Sequence, residues 1–252
     1  MVDTEAKIIE NKNIIPDYFL LRLKPAETMG SVKPGQFVMI KIPGSEVFLR
    51  RPFSIYDYDR GILTIMYKVA GKGTEILSKT GKNTLTSVLG PLGNGFHINQ
   101  RDEYLTVAGG IGIAGIHFLI KNLKKKASVF FGCSSHIETA LLKDIMKLNP
   151  MISTLDGSYG YKGNVVEMLK KHLETNKNSD REIFVCGPEG MLKSLKTSVD
   201  KNQISCQALV EERMACGLGL CFGCVKKTID ENEPYKRVCK EGPVFDLWEI
   251  SL

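Results

Sequence analysis

The sequence predicts a β barrel plus an α/β fold: a small antiparallel barrel over residues 1–99, a doubly wound parallel-sheet domain over 100–205 and a short C-terminal segment over 206–252. Three observations predict it. Short apolar runs broken by Gly, Pro and Asp fill the first part, strand-like and helix-like runs alternate through the second, and four of the seven cysteines fall after residue 210. The first rhythm suits a small barrel, and the second suits a parallel sheet covered on both faces.

At 252 residues, with 43% hydrophobic and 25% charged side chains, the chain can bury the cores of two or three domains. No stretch approaches the roughly 20 apolar residues of a membrane-spanning helix. The N-terminus lacks the basic start and apolar run of a signal peptide, so a cytoplasmic protein without membrane association is expected. The net charge of +6 comes from scattered lysines, and the one tight run, Lys121 to Lys126, ends an apolar helical pattern. Lysines there complement the negative end of the helix dipole, which favours a solvated helix end over a nucleic-acid patch.

In the first part, Tyr18–Leu23, Gln36–Ile42 and Leu63–Val69 are strand-like, and Lys33-Pro34-Gly35, Pro43-Gly44 and Gly90-Pro91-Leu92-Gly93 punctuate them. Within this frame Arg51-Pro52-Phe53-Ser54-Ile55-Tyr56 sets a guanidinium and a hydroxyl around a rigid proline. Arg51 can grip a phosphate bidentately, Ser54 can hydrogen-bond a flavin or its phosphate, and Tyr56 offers a stacking face. Gly71-Lys72-Gly73-Thr74 opens a predicted helix over 74–79, whose free N–H groups favour an anion. Two such features in one barrel suggest a single pyrophosphate.

In the second part the order is strand (Tyr104–Ala108), helical run (Ile113–Leu123), strand (Ala127–Phe131), helical run (Ile137–Leu148), then Gly163–Leu173 and Ile183–Val185. The first strand runs into Gly109-Gly110-Ile111-Gly112-Ile113-Ala114-Gly115, a G-x-G-x-x-G between strand and helix, the context in which the motif signals a dinucleotide. The acid expected about 20 positions later is missing, since the second strand ends Phe131-Gly132-Cys133-Ser134-Ser135. Glycines serving only tight packing are the competing reading. Later, Cys186-Gly187-Pro188-Glu189-Gly190-Met191 places a thiol at a strand's carboxyl end, where open α/β sheets bind ligands. A buried core cysteine is the alternative there, and Cys133 and Cys206 are expected to be core residues.

The tail carries Cys216, Cys221, Cys224 and Cys239 with spacing C-x4-C-x2-C-x14-C. This resembles the plant-type [2Fe–2S] spacing, in which glycines let the backbone wrap closely and aim its N–H groups at the sulfurs. A four-cysteine zinc site remains the alternative, although zinc ribbons draw on two separated C-x2-C pairs. His97, His117, His136 and His172 form no metal-ligand or nucleophile pattern.

The combination of Arg51-Pro52-Phe53-Ser54, the Gly109–Gly115 run and Cys186-Gly187-Pro188-Glu189-Gly190-Met191 resembles the ferredoxin-NADP reductase superfamily. With Met214 to Cys224 and the stretch Tyr235 to Phe245, the chain is similar over its whole length to the electron-transfer subunits of class 1B dihydroorotate dehydrogenases. The resemblance implies FAD contacts from Arg51, Pro52, Phe53 and Ser54, from Met66, Tyr67 and Lys68, and from Gly73 and Thr74. It implies NAD in the second domain, near Gly110, Gly112, Gly115, Cys186, Gly187 and Pro188, with the choice of NAD over NADP resting on the family alone. It implies cluster ligation by Cys216, Cys221, Cys224 and Cys239.

A nicotinamide exchanges two electrons and a cluster one, so the flavin stands between them and no acid–base catalytic residue is required. The resemblance further implies an FMN-containing catalytic subunit as partner, in a heterotetramer, where dihydroorotate is oxidised. An NAD(P)H-dependent flavin and iron–sulfur reductase subunit delivering electrons to ferredoxin or another acceptor is the alternative. A zinc-stabilised binding module or redox sensor is the reading from another class.

Overall fold

The computed structural model describes residues 1–44, 46–123, 126–175, 180–199 and 204–252. Seven antiparallel strands form the first unit: β1 (Val2–Ile15), β2 (Tyr18–Pro25), β3 (Phe37–Ile40), β4 (Arg51–Ser54), β5 (Asp57–Asp59), β6 (Ile62–Lys68) and β7 (Leu85–Leu92). Their order is β4-β3-β7-β1-β2-β6-β5, and helix α1 (Lys72–Ser78) connects β6 to β7. Along β2 the alternation of the side chains turns Leu21 and Leu23 inward and leaves Arg22 and Lys24 in water. Ile8, Leu21, Leu23, Ile40, Leu63 and Ile65 are fully buried and fill this core. The link from β4 to β5 closes the curl: Ile55 N–H donates to Gln36 O at 3.0 Å on one side, and Tyr56 N–H donates to Thr64 O at 3.0 Å on the other.

The second unit is a parallel sheet of β8 (Glu103–Gly109), β9 (Ala127–Cys133), β10 (Met151–Thr154), β11 (Tyr161–Lys162), β12 (Arg181–Cys186) and β13 (Ser205–Leu209). The strand order is β11-β10-β9-β8-β12-β13, so direction reverses between β8 and β12, and ligand crevices open at the carboxyl ends beside such a switch point. All six residues of β12 are buried, as a strand covered on both faces requires. Helix α2 (Ile113–Leu123) packs Ile116, Leu119 and Ile120 on one face. Helices α3 (Val165–Thr175) and α4 (Glu189–Ser198) bring Leu169, Leu192 and Leu195 to the other.

The C-terminal segment is more regular than its composition suggested. It forms a hairpin of β14 (Val225–Lys227) and β15 (Tyr235–Arg237), then β16 (Val244–Asp246), which joins the α/β sheet antiparallel to β13. Residues 137–148, expected as one helix, form two 3-10 turns, His136–Leu142 and Met146–Leu148. Their side chains are spent on tertiary and local partners: Glu138 turns back to the Ser134 N–H and across to Tyr18, and the Thr139 hydroxyl donates to His136 O.

Of the lysine run, Lys124 and Lys125 lie outside the described residues. Lys121 is more than a solvated helix end, because its Nζ pairs with Asp57 Oδ2 of the barrel at 2.7 Å. Beside it, His117 stacks on Tyr56 with centroids 3.7 Å apart and its Nδ1–H donates to Tyr56 O at 3.0 Å, which ties α2 to the barrel. Among the described residues no helix is long and apolar enough to cross a membrane.

Candidate functional site

A cleft of about 310 Å3 opens where the barrel meets the parallel sheet. Strand β4 supplies Pro52, Phe53 and Ser54 to its wall, and β6 supplies Met66, Tyr67 and Lys68. The ring of Tyr67 is pinned, edge-on to Phe53 and with its hydroxyl donating to Asn11 Oδ1 at 3.1 Å. Thr74 lines the same cleft. Arg51 lies over the opening of α1, so that a Cβ added at Gly73 would sit 3.2 Å from Arg51 Nε. The two anion features of the barrel are therefore one place. Thr74 Oγ1 is engaged by its own turn, accepting from Ala70 N and Gly71 N, and the helix begins at Lys72, two residues before the expected start. Tyr56 departs from expectation: it is buried against His117, with its hydroxyl towards Asp144 Oδ2, and offers no free stacking face.

A second cleft, of about 330 Å3, lies at the carboxyl ends of β8, β9 and β10. Gly109, Gly110, Cys133, Ser134, Pro188 and Met191 line it, and Lys68 and Ile111 line both clefts. The three motif glycines divide their work. Gly110 sits at φ +51° with open space where a Cβ would be, facing the cleft. Gly112 and Gly115 serve close packing: a Cβ at Gly112 would collide with the carbonyl of Cys186, and one at Gly115 would sit 3.1 Å from Cys186 Sγ. Gly187 is likewise closed in, with Gly109 N 3.1 Å from the place of a Cβ. Cys186 is buried, belongs to the core and is absent from the walls of both clefts, and burial pushes its thiol well up.

The cysteine loop packs on the barrel beside the first cleft. Gly217, at φ +70°, brings the loop so near β3 that a Cβ there would fall 2.7 Å from Met39 Cγ. Phe37, Met214 and Pro243 line the cleft, Met214 two residues before Cys216. All four sulfurs accept a backbone N–H: Cys216 from Leu218 at 3.4 Å, Cys221 from Gly223 at 3.4 Å, Cys224 from Cys239 at 3.4 Å and Cys239 from Gly219 at 3.1 Å. Such donors stabilise thiolates and tune a cluster.

The thiols stand in two pairs. Cys224 Sγ and Cys239 Sγ are 3.2 Å apart and buried, and Cys216 hydrogen-bonds with Cys221 nearer the surface. Partial burial opposes ionisation of Cys216, but the N–H groups of Leu218, Cys221 and Leu220 and the Cys221 thiol outweigh it and bring Cys216 down to about 6. Burial and the Cys224 thiol push Cys239 up to about 12. Among the described residues no three His, Cys, Asp or Glu side chains converge as a single-ion site. Two thiol pairs can offer two thiolates to each of two irons.

Three residues of this region have no local sequence signature. Glu211, just past β13, lines the first cleft and leaves its side chain exposed there. Lys226 on β14, nearly buried, reaches Glu212 Oε1 at 3.1 Å and Glu189 Oε2 at 3.2 Å, joining the cysteine segment to the start of α4. Glu138 lines the second cleft. Only the fold shows these neighbourhoods, because each pairing spans distant parts of the chain.

Residues 211–251 match the family model for the iron–sulfur cluster binding domain of dihydroorotate dehydrogenase B. The chain is 37% identical to the dihydroorotate dehydrogenase B (NAD(+)) electron transfer subunit of Listeria welshimeri, each covered over 100% of its length. It is 36% identical to the protein of that name from Caldanaerobacter subterraneus, over 98% of this chain and 97% of the other. Among solved structures it is similar to a chain of an NADH-dependent reduced ferredoxin-NADP oxidoreductase, with TM-score 0.86, 25% identity, and coverage of 98% of this chain and 89% of that one. A ferredoxin NADP+ reductase from Neisseria gonorrhoeae shares the fold at TM-score 0.67 and 17% identity, covering 82% of this chain and 98% of that one. With full-length identity at this level, and with a paired-cysteine loop set beside an open barrel cleft, the chain belongs to the family of dihydroorotate dehydrogenase B (NAD(+)) electron transfer subunits.

Proposed function

We propose that the chain carries electrons between NAD and the FMN of a dihydroorotate-oxidising catalytic partner, through FAD in the barrel cleft and a [2Fe–2S] cluster in the cysteine loop, within a cytoplasmic heterotetramer. The observation that carries this reading is the succession of sites. Lys68 and Ile111 are common to both clefts, and Met214 and Pro243 lead from the first cleft into the cysteine segment. Bound FAD supplies hydride exchange with a nicotinamide on one side and single-electron exchange with an iron–sulfur centre on the other.

The chain's own residues bind and orient. Arg51, Gly73 and Thr74 hold the flavin pyrophosphate, and Pro52, Phe53, Ser54, Met66, Tyr67 and Lys68 hold the ring system. Gly110 admits the nicotinamide dinucleotide; Gly112, Gly115, Cys186, Gly187 and Pro188 shape the turns behind it. Cys216, Cys221, Cys224 and Cys239 ligate the cluster. The division into residues 1–99 for FAD, 100–205 for NAD and 206–252 for the cluster follows this assignment. The partner docks over Cys221, which is exposed between the exposed side chains of Leu220 and Phe222.

Anaerobic mixing of the purified chain with NADH tests the scheme: flavin absorbance should bleach, followed by that of the cluster. Dihydroorotate should bleach both only when the FMN subunit is added. Bleaching by dihydroorotate without that subunit, or none with it, contradicts the proposal. The likeness to the NADH-dependent ferredoxin-NADP oxidoreductase chain favours a second reading, delivery to ferredoxin or another acceptor. Rapid ferredoxin reduction by NADH, with no response to the FMN subunit, would select it.

A further inference from the structure

We infer that Glu138 is the acid that reads the adenosine ribose of the dinucleotide and selects NAD over NADP; this rests on the nicotinamide-binding reading above. In a doubly wound sheet the acid that accepts the ribose 2′-hydroxyl follows the second strand, about 20 residues past the glycine turn. No acid stands at that distance in this sequence, where β9 ends and Ser134-Ser135 follows. The 3-10 turn after β9 supplies one from a little further on. Glu138 lines the cleft that Gly109, Gly110 and Ile111 also line, on the β9 side of the switch point.

The Glu138 carboxylate is held in place. Oε2 accepts the Ser134 N–H at 2.7 Å, at the strand end, and Oε1 accepts the Tyr18 hydroxyl at 2.6 Å from the barrel. Each oxygen keeps acceptor capacity, so a ribose hydroxyl can join or replace Tyr18 as donor. A 2′-phosphate has no hydrogen to donate there and brings like charge against the carboxylate. Lys68 Nζ lies 5.0 Å from the Tyr18 ring centre on the same cleft wall, a cation suited to a bridging phosphate.

Two other acids lie nearby: Glu167 on α3, whose Oε1 accepts from Asn164 Nδ2 at 2.7 Å, is absent from the cleft wall, and so is Asp156, past β10. Its Oδ1 is taken by the N–H and hydroxyl of Ser158 in its own loop, and it stands off the cleft wall. Glu138 is therefore the reader and Asp156 a loop residue.

The test uses the flavin- and cluster-loaded chain, with anaerobic flavin reduction by NADH and by NADPH in the wild type, Glu138→Gln and Asp156→Asn. Glutamine keeps the shape and can still accept the Ser134 N–H. The ratio of NADH to NADPH efficiency should fall about tenfold in Glu138→Gln, the scale of one charge-assisted hydrogen bond, and stay unchanged in Asp156→Asn. An unchanged ratio in Glu138→Gln, an equal loss for both nucleotides, or a ratio that moves only in Asp156→Asn overturns the inference while leaving the proposed function standing. Failure of NADH to reduce the wild-type flavin overturns the proposed function and this inference with it.

Discussion

Lys226→Met removes the cation that ties the cysteine segment to the α/β sheet. Lys226 keeps 10% of its side chain exposed, and its partners Glu212 and Glu189 keep 31% and 51%. A buried pair broken from one side costs about 3–5 kcal/mol, because a charge is stranded, whereas an exposed pair is worth about 0–1 kcal/mol. Half-exposed carboxylates can turn to water, so the expected loss lies between these limits, about 2 kcal/mol. At roughly 2–4 °C per kcal/mol for a chain of this size, the melting transition should fall by about 4–8 °C.

Lys226 bridges a hairpin to the body of the protein, so the loss should be local first. Thermal melts followed in parallel by cluster absorbance and far-ultraviolet dichroism should show the cluster signal failing ahead of the backbone signal in the variant. Lys226→Met/Glu212→Leu, which also removes the stranded carboxylate, should recover part of the loss. Unchanged melts, or a fall in which both signals move together, would refute the view that this triad holds the segment in place.

Other outcomes follow from the same geometry. Gly112→Ala drives a methyl into the carbonyl of Cys186, a backbone neighbour that cannot rotate away. The variant should lose about 1–3 kcal/mol in denaturant titration and raise the KM for NADH, and a wild-type KM would contradict the packing role. Cys239→Ser should abolish cluster absorbance while leaving bound flavin, because Cys239 and Cys224 form the buried thiol pair and neither lines the first cleft; retention of a full iron complement would refute its ligand role. Arg237 holds Glu241 below its ordinary value of 4.5, chiefly through their hydrogen bond, while its Nη1 donates to Gly219 O in the cluster loop. A depressed carboxyl stabilises the fold above its unfolded value and loses that contribution as pH falls through the lower folded value. The stability gap between wild type and Arg237→Gln should therefore be present at pH 7 and shrink below pH 4.5, and a gap constant with pH would contradict it.

Where local pattern and tertiary demand agree, the sequence was readable. Helix Ile113–Leu123 stands on its predicted residues because its apolar period matches the sheet face it covers. The cysteine segment stands out in the sequence because three of its four cysteines share one short loop, and residues 211–251 match the iron–sulfur cluster binding domain model. Tyr56 is buried by His117, 61 residues on, which its local sequence does not show, and 3-10 turns stand in place of a helix after β9 because their side chains bond elsewhere. Glu138, Glu211 and Lys226 match no motif, since the meaning of each comes from the cleft or ion pair that the fold builds around it. The three residues of β16 carry too little periodicity to mark a strand.

The central claim, a two-iron relay held by two cysteine pairs, is tested most directly by metal and sulfide analysis of the anaerobically purified chain, read with its visible spectrum. Two irons and two acid-labile sulfides per chain, with bound flavin and no zinc, are expected. One zinc per chain without sulfide, in a protein lacking visible cluster absorbance, would contradict it.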